Sequence, residues 1–144
     1  MLLQNITISG LGGVGGYYGA MLVQAAQQEG LGRKISFVAR GMHREAIAQH
    51  GLHVVTPARD FIVHPDYLDE DPAKLPPADL LILATKSYDL EANIKQLLPI
   101  ITPKTIILPL LNGADIADQV KRLLPENEVW DGCVYISGRK PEAG

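Results

Sequence analysis

Six of the ten residues from 10 to 19 are glycine, placed between a short apolar run and a stretch of helix-forming residues. Each glycine inside a helix costs roughly 1 kcal/mol relative to alanine. A chain that keeps Gly15, Gly16 and Gly19 in the first turns of a helix must therefore offset that loss by close packing. Gly15 and Gly19, four apart, share one face, which is predicted to lie on a sheet. Gly10, Gly12 and Gly15 also have the spacing G-x-G-x-x-G. Between a strand and a helix, the first glycine of that spacing permits a tight turn. The second lets backbone approach a pyrophosphate, and the third brings the helix close to the strand. Amides at the helix N-terminus then face the phosphates. A glycine-rich turn without a ligand is the alternative, and the strand before and helix after weigh against it. The expected phosphate-binding residues are Gly10, Leu11, Gly12, Gly13, Val14 and Gly15.

The rest of the chain repeats the strand–helix unit. Apolar runs at 5–9, 35–39, 52–56, 80–84, 105–110 and 129–136 read as six strands. They are apolar almost without alternation, as in strands buried on both faces. Residues 14–28, 42–50, 90–98 and 115–124 carry apolar positions at helical spacing. Gly51, Pro99 and Pro125 are expected to end the last three. The predicted fold is α/β: a Rossmann-type, doubly wound, mostly parallel sheet with helices on both faces. Residues 57–77, rich in proline and acid, read as a surface excursion in which 61–63 pair with the third strand as a hairpin. Residues 139–144 follow the last strand without an assigned role.

A length of 144 residues suits one domain, so 1–144 is read as a single dinucleotide-binding domain. A net charge of -3 gives no reason to expect nucleic acid or anionic lipid as partners. The one cysteine, Cys133, excludes an intrachain disulfide and a thiolate zinc site, favours a reducing, cytoplasmic setting, and reads as a small core residue. His50, His53 and His64 lack ligand spacing and read as surface or turn residues, so no metal site is expected. Tyr17 and Tyr18 read as packing residues. No apolar run is long enough for a membrane span, and the N-terminus lacks the charged region of a signal peptide.

The second strand runs into Arg40, followed by His43 and Arg44, with no acid at its end. Where NAD-binding members of this fold class place an acid on the adenosine ribose, a guanidinium instead suits a 2′-phosphate and stacks on adenine. This points to NADP(H); a solvated surface arginine is the alternative. Two more polar loops follow strands, Thr85-Lys86-Ser87 and Asn112-Gly113, and ligands of open parallel sheets bind beyond the strands' carboxyl ends. Lys86 is thus a candidate partner for a carboxylate or carbonyl oxygen, and Asn112 for hydrogen bonds to cofactor and substrate. Otherwise Lys86 is solvated and Asn112 caps a helix starting near Gly113.

Together the pieces LGGVGGYYG, FVARG, LATKSYDL, PLLNG and GCVYISG resemble the N-terminal half of the ketopantoate reductase family. The resemblance covers essentially the whole chain. It implies NADPH-dependent reduction of 2-dehydropantoate (ketopantoate) to pantoate, on the route to pantothenate and coenzyme A. It implies that residues 10–15 hold the pyrophosphate, Arg40 the 2′-phosphate, and Lys86 and Asn112 lie beside nicotinamide and substrate. Backbone near Ser137 and Gly138 is a weaker implied contact. The family's helical C-terminal domain supplies the proton donor, so this segment alone is expected to bind cofactor without turnover. That domain and a small 2-oxo acid are the implied partners, and a homodimer is compatible with them. Other substrates of the same chemistry, or a non-catalytic NADP(H)-sensing module, remain open.

Overall fold

The computed structural model describes residues 2–134, 136 and 138–144. The elements run β1 (Asn5–Ser9), α1 (Gly13–Glu29), β2 (Lys34–Val38), α2 (Gly41–His50), β3 (Leu52–Val55), β4 (Asp60–Val63), β5 (Tyr67–Asp69), β6 (Leu80–Leu83), α3 (Leu90–Leu97), β7 (Ile106–Pro109) and α4 (Ile116–Leu123). Five strands form a parallel sheet in the order β5-β2-β1-β6-β7. Strand order therefore reverses at β1, and the residues following β1 sit at the topological switch point.

Each face of the sheet is buried under its own helices, as the α/β reading predicts. On one side Ile6 and Ile8 of β1, Ile35 and Phe37 of β2, and Leu80 and Ile82 of β6 pack with Ala20 and Val23 of α1 and Ile47 of α2. On the other, Leu81 and Leu83 of β6 and Ile107 of β7 pack with Leu90, Ile94 and Leu97 of α3 and Ile116 and Val120 of α4. Burying such a side chain fully contributes about 1.5–3 kcal/mol, so the two layers hold the strand ends rigidly. β1 departs from the continuous apolar run expected. Its alternate residues Thr7 and Ser9 are buried hydroxyls, and Thr7 lies in register with the buried Ser36.

Five expectations need correction. The third strand is absent from the main sheet. β3 pairs antiparallel with β4, and its burial alternates residue by residue, which marks a one-sided hairpin rather than a buried central strand. That hairpin is pinned to α1 by Arg59, which lies 4.3 Å over the Phe61 ring and donates to Gln24. The place beside β2 is taken by β5, within the segment read as a surface excursion. Its three residues are too short a run to stand out in the sequence, and the Asp66 carboxylate accepting from Ile35 N (2.8 Å) ties its start to β2.

Among the described residues, the predicted sixth strand at 129–136 is reduced to one bridge, Ile107 to Val129. There Ile107 N–H donates to Glu128 O and Trp130 N–H to Ile107 O. The next outward donor on β7 in that register would be residue 109, which is Pro109 and has no N–H, so the ladder stops. Cys133, expected in a strand core, is exposed; Tyr135 of that run lies outside the described residues. At Pro99 the chain does not stop but makes one further 3-10 turn, Leu98–Ile100.

Candidate functional site

The turn after β1 is built almost wholly from backbone. Gly10 has φ +94°, and a Cβ there would come within 2.6 Å of the Ala84 carbonyl carbon at the end of β6. A Cβ on Gly15 would stand 1.7 Å from the Gly10 carbonyl oxygen, so only hydrogen fits where the helix crosses the turn. A Cβ on Gly19 would stand 3.0 Å from the Phe37 ring, which places the Gly15–Gly19 face on the sheet as the spacing predicts. A Cβ on Gly12 would meet nothing within 4 Å. That residue is the N-cap of α1, with no side-chain cap and no acid in the first turn. The first N–H groups of a 17-residue helix thus point to an open, anion-favouring place.

A second helix starts beside it. Arg40 occupies the N-cap of α2, which also has no side-chain cap bond and no acid in its first turn. On that first turn His43 Nε2 lies 2.9 Å from the Leu11 carbonyl oxygen, inside the glycine loop. Burial lowers the proton affinity of His43, the Leu11 hydrogen bond raises it, and the Lys140 charge lowers it; the net shift is downward.

These two helix starts open on one cleft of 760 Å³, within the size range of ligand pockets. Gly10, Leu11 and Gly12, Arg40, and Ser9 and Val38 at the strand ends all line it. Four basic and four acidic side chains do so too, so selectivity between anions must come from position rather than overall charge. The acids Asp69 and Asp71 are engaged in their own turn. Asp69 Oδ1 accepts from Asp71 N at 2.9 Å, which holds its carboxyl below the usual range, and Asp71 Oδ1 accepts from Ala73 N at 3.0 Å. Two cleft residues carry buried polar atoms without partners, Nε of Arg44 and Oγ1 of Thr85. A polar, anionic ligand would satisfy both.

The sequence-predicted residues divide here. Gly10, Leu11, Gly12 and Arg40 line the cleft, with Gly13, Val14 and Gly15 forming the helix start behind them. Lys86 is exposed before the 3-10 turn Ser87–Asp89 and does not line that cleft. Asn112, also exposed, lines a separate cavity of 370 Å³ with Gly113 and Cys133. It does not cap α4; that helix begins at Ile116 with Asp115 at its N-cap.

Sequence reading also missed residues. Asp69 lies beside Val38 in the register of β2 and β5, so an acid does stand next to the end of the second strand, contributed by a neighbouring strand. Asn93 of α3 reaches under the loop, where its side chain bonds the Ser9 hydroxyl at 3.0 Å. Residues 139–144, given no role, fold back. Gly138 packs on Gly13, Lys140 lines the cleft, and Gly144 N–H donates to His43 Nδ1 at 2.9 Å. Ser137 lies outside the described residues. Among the described residues, no helix is long and apolar enough to cross a membrane.

Comparison with known proteins agrees with this geometry. The 2-dehydropantoate 2-reductase of Nostoc sp. PCC 7120 is 31% identical over 98% of this chain, which covers 42% of that protein. The crystal structure of 2-dehydropantoate 2-reductase from Porphyromonas gingivalis W83 superposes with a TM-score of 0.92 at 48% identity, over 99% of this chain and 50% of that one. A ternary structure of D-mandelate dehydrogenase with NADH and anilino(oxo)acetate is more distant, at 25% identity and a TM-score of 0.74 over 90% of this chain and 40% of that one. The chain thus spans half or less of the length of these relatives. The family described as ketopantoate reductase PanE/ApbA matches residues 6–144, and the chain belongs to it.

Proposed function

We propose that this chain is the NADP(H)-binding domain of a reductase that converts 2-dehydropantoate to pantoate in pantothenate and coenzyme A biosynthesis. The observation that carries the reading is the pair of uncapped helix starts on one cleft, with Arg40 at the second. Amides of residues 10–15 would hold the pyrophosphate. Arg40, with Arg44 one turn on, would hold the 2′-phosphate through charge-assisted bonds. When bound, the nicotinamide supplies the hydride that reduces the keto carbon.

The chain's own residues then bind and orient. Lys86 and Asn112 follow β6 and β7 at the carboxyl edge of the sheet. The Lys86 ammonium would neutralise the substrate carboxylate or polarise its keto oxygen, while the Asn112 amide bonds cofactor and substrate at once. The proton that completes the alcohol is assigned to a second, helical domain of the whole protein. Family membership and the lone cysteine support a cytoplasmic setting.

A second reading has an observation of its own: Asp69 beside the end of β2, together with a relative crystallised with NADH. It makes the protein an NAD-dependent reductase of another 2-oxo acid. Titrating the full-length protein with NADPH and NADH, then assaying turnover across 2-oxo acids, separates the two. Preference for NADPH with fastest turnover of 2-dehydropantoate is expected. Equal affinity, or another preferred acid, rejects the first reading. Cofactor binding without oxidation of NADPH by any keto acid would leave a sensing module.

A further inference from the structure

We propose that His43 is a positioning residue for the cofactor, clasping the glycine loop to the first turn of α2 and so fixing the separation between the two phosphate-binding helix starts. The inference rests on the NADP(H) reading above and goes beyond it in naming what holds the two halves of the site in register.

Three observations carry it. The Leu11 carbonyl precedes the first bond of the α1 ladder, which Gly16 N makes to Gly12 O at 2.8 Å. It accepts from the imidazole of His43 instead. Flanking that carbonyl are Gly10 and Gly12, one at positive φ and one with open space around it, so the loop has little side-chain packing of its own to fix its peptide planes. The ring's second nitrogen is also occupied. A backbone N–H can only donate, so Nδ1 accepts from Gly144 N, and Nε2 must carry the hydrogen given to Leu11 O. A neutral imidazole in the Nε2–H form therefore meets both partners, with each nitrogen in its proper role. The charge that acts on it is Lys140, from the folded-back segment; Arg40 and Arg44 line the same cleft, as do the acids Asp69, Glu70, Asp71 and Asp89. A phosphate drawn in by those cations would bind beside the clasp.

The test uses His43→Phe, which removes the donor, and His43→Gln, whose amide N–H replaces it, in the full-length protein. A neutral hydrogen bond is worth a few-fold in affinity. His43→Phe is expected to weaken NADPH and NADH alike by about fivefold, because the pyrophosphate they share is misplaced. His43→Gln should stay within about twofold of the parent. Affinities of a folded His43→Phe protein unchanged for both cofactors would overturn the proposal. So would a loss confined to NADPH, which would make His43 a direct ligand of the 2′-phosphate. If His43→Phe does not fold, the ring's 15N shifts in the unaltered protein decide: the Nε2–H form is expected, and the Nδ1–H form overturns the clasp. A parent protein that binds neither nucleotide would instead bring down the functional reading on which this inference stands.

Discussion

The glycine loop and the two loops after β6 and β7 occupy the same edge of the sheet yet are built in opposite ways. Around Gly10 and Gly15 the available space excludes any Cβ, and the geometry is set by backbone against backbone. Lys86 and Asn112 are exposed, and neither lines the first cleft. The first region is preorganised by the domain itself; the second presents side chains whose orientation this domain leaves open. On the proposed function, the cofactor site is thus complete within this domain while the reaction site needs another surface to close it.

The sharpest way to break that contrast is Gly15→Ala. With its Cβ 1.7 Å from the Gly10 oxygen, either the turn or the helix must move. A loss of more than about 3 kcal/mol is expected. Chemical denaturation would show it, and retained stability with retained cofactor binding would mean the crossing is looser than described. Arg40→Ala probes the same region through side-chain charge. It should weaken NADPH by about 1.5–3 kcal/mol, the usual value of a hydrogen bond to a charged group, and leave NADH nearly untouched. Calorimetric titration with both nucleotides checks this, and equal losses would remove Arg40 from the 2′-phosphate.

The two regions also differ in how legible they are from sequence. Wherever a residue is required by local geometry, the sequence announces it. The G-x-G-x-x-G spacing located a turn that tolerates no side chain at Gly10 or Gly15, and the apolar runs located β1, β6 and β7 to within a residue or two. What escaped depends on pairings between distant segments. β5 exists because three residues find the open edge of β2, and the sixth strand fails because Pro109 offers no donor to a chain some twenty residues further on. Asp69 beside Val38 and Lys140 in the cleft arise in the same way. The proline was visible; its consequence required knowing which way each N–H of β7 points.

Within the glycine loop itself a smaller effect of opposite sign separates necessity from habit. A Cβ on Gly16 would meet the Leu11 oxygen at 3.8 Å, an ordinary contact. Gly16→Ala should therefore stabilise the fold by up to about 1 kcal/mol through helix propensity, read as a raised melting temperature. Destabilisation instead would show that Gly16, like Gly15, answers to a closer approach. A pH effect belongs to the same region. Because burial holds the proton affinity of His43 below the ordinary value of 6.5, the unfolded chain takes up a proton at a pH where the folded one does not. The stability involved is fully present above 6.5 and is lost as the pH falls through the folded value. Denaturation midpoints should fall over that window in the parent and stay flatter in His43→Gln; parallel curves would point to another titrating group.

The smallest effect on stability is expected at the other region. Lys86 and Asn112 are exposed, and neither caps a helix through its side chain, so Lys86→Ala and Asn112→Ala should each change stability by no more than about 0.5 kcal/mol. Their effect should instead fall on turnover by the full-length protein, because a donor aimed at the reacting oxygen acts mainly in the transition state. A drop in kcat of about a hundredfold with unaltered melting is expected for Lys86→Ala. If melting falls while kcat holds, the loop after β6 has the structural duty and the contrast between the two regions dissolves.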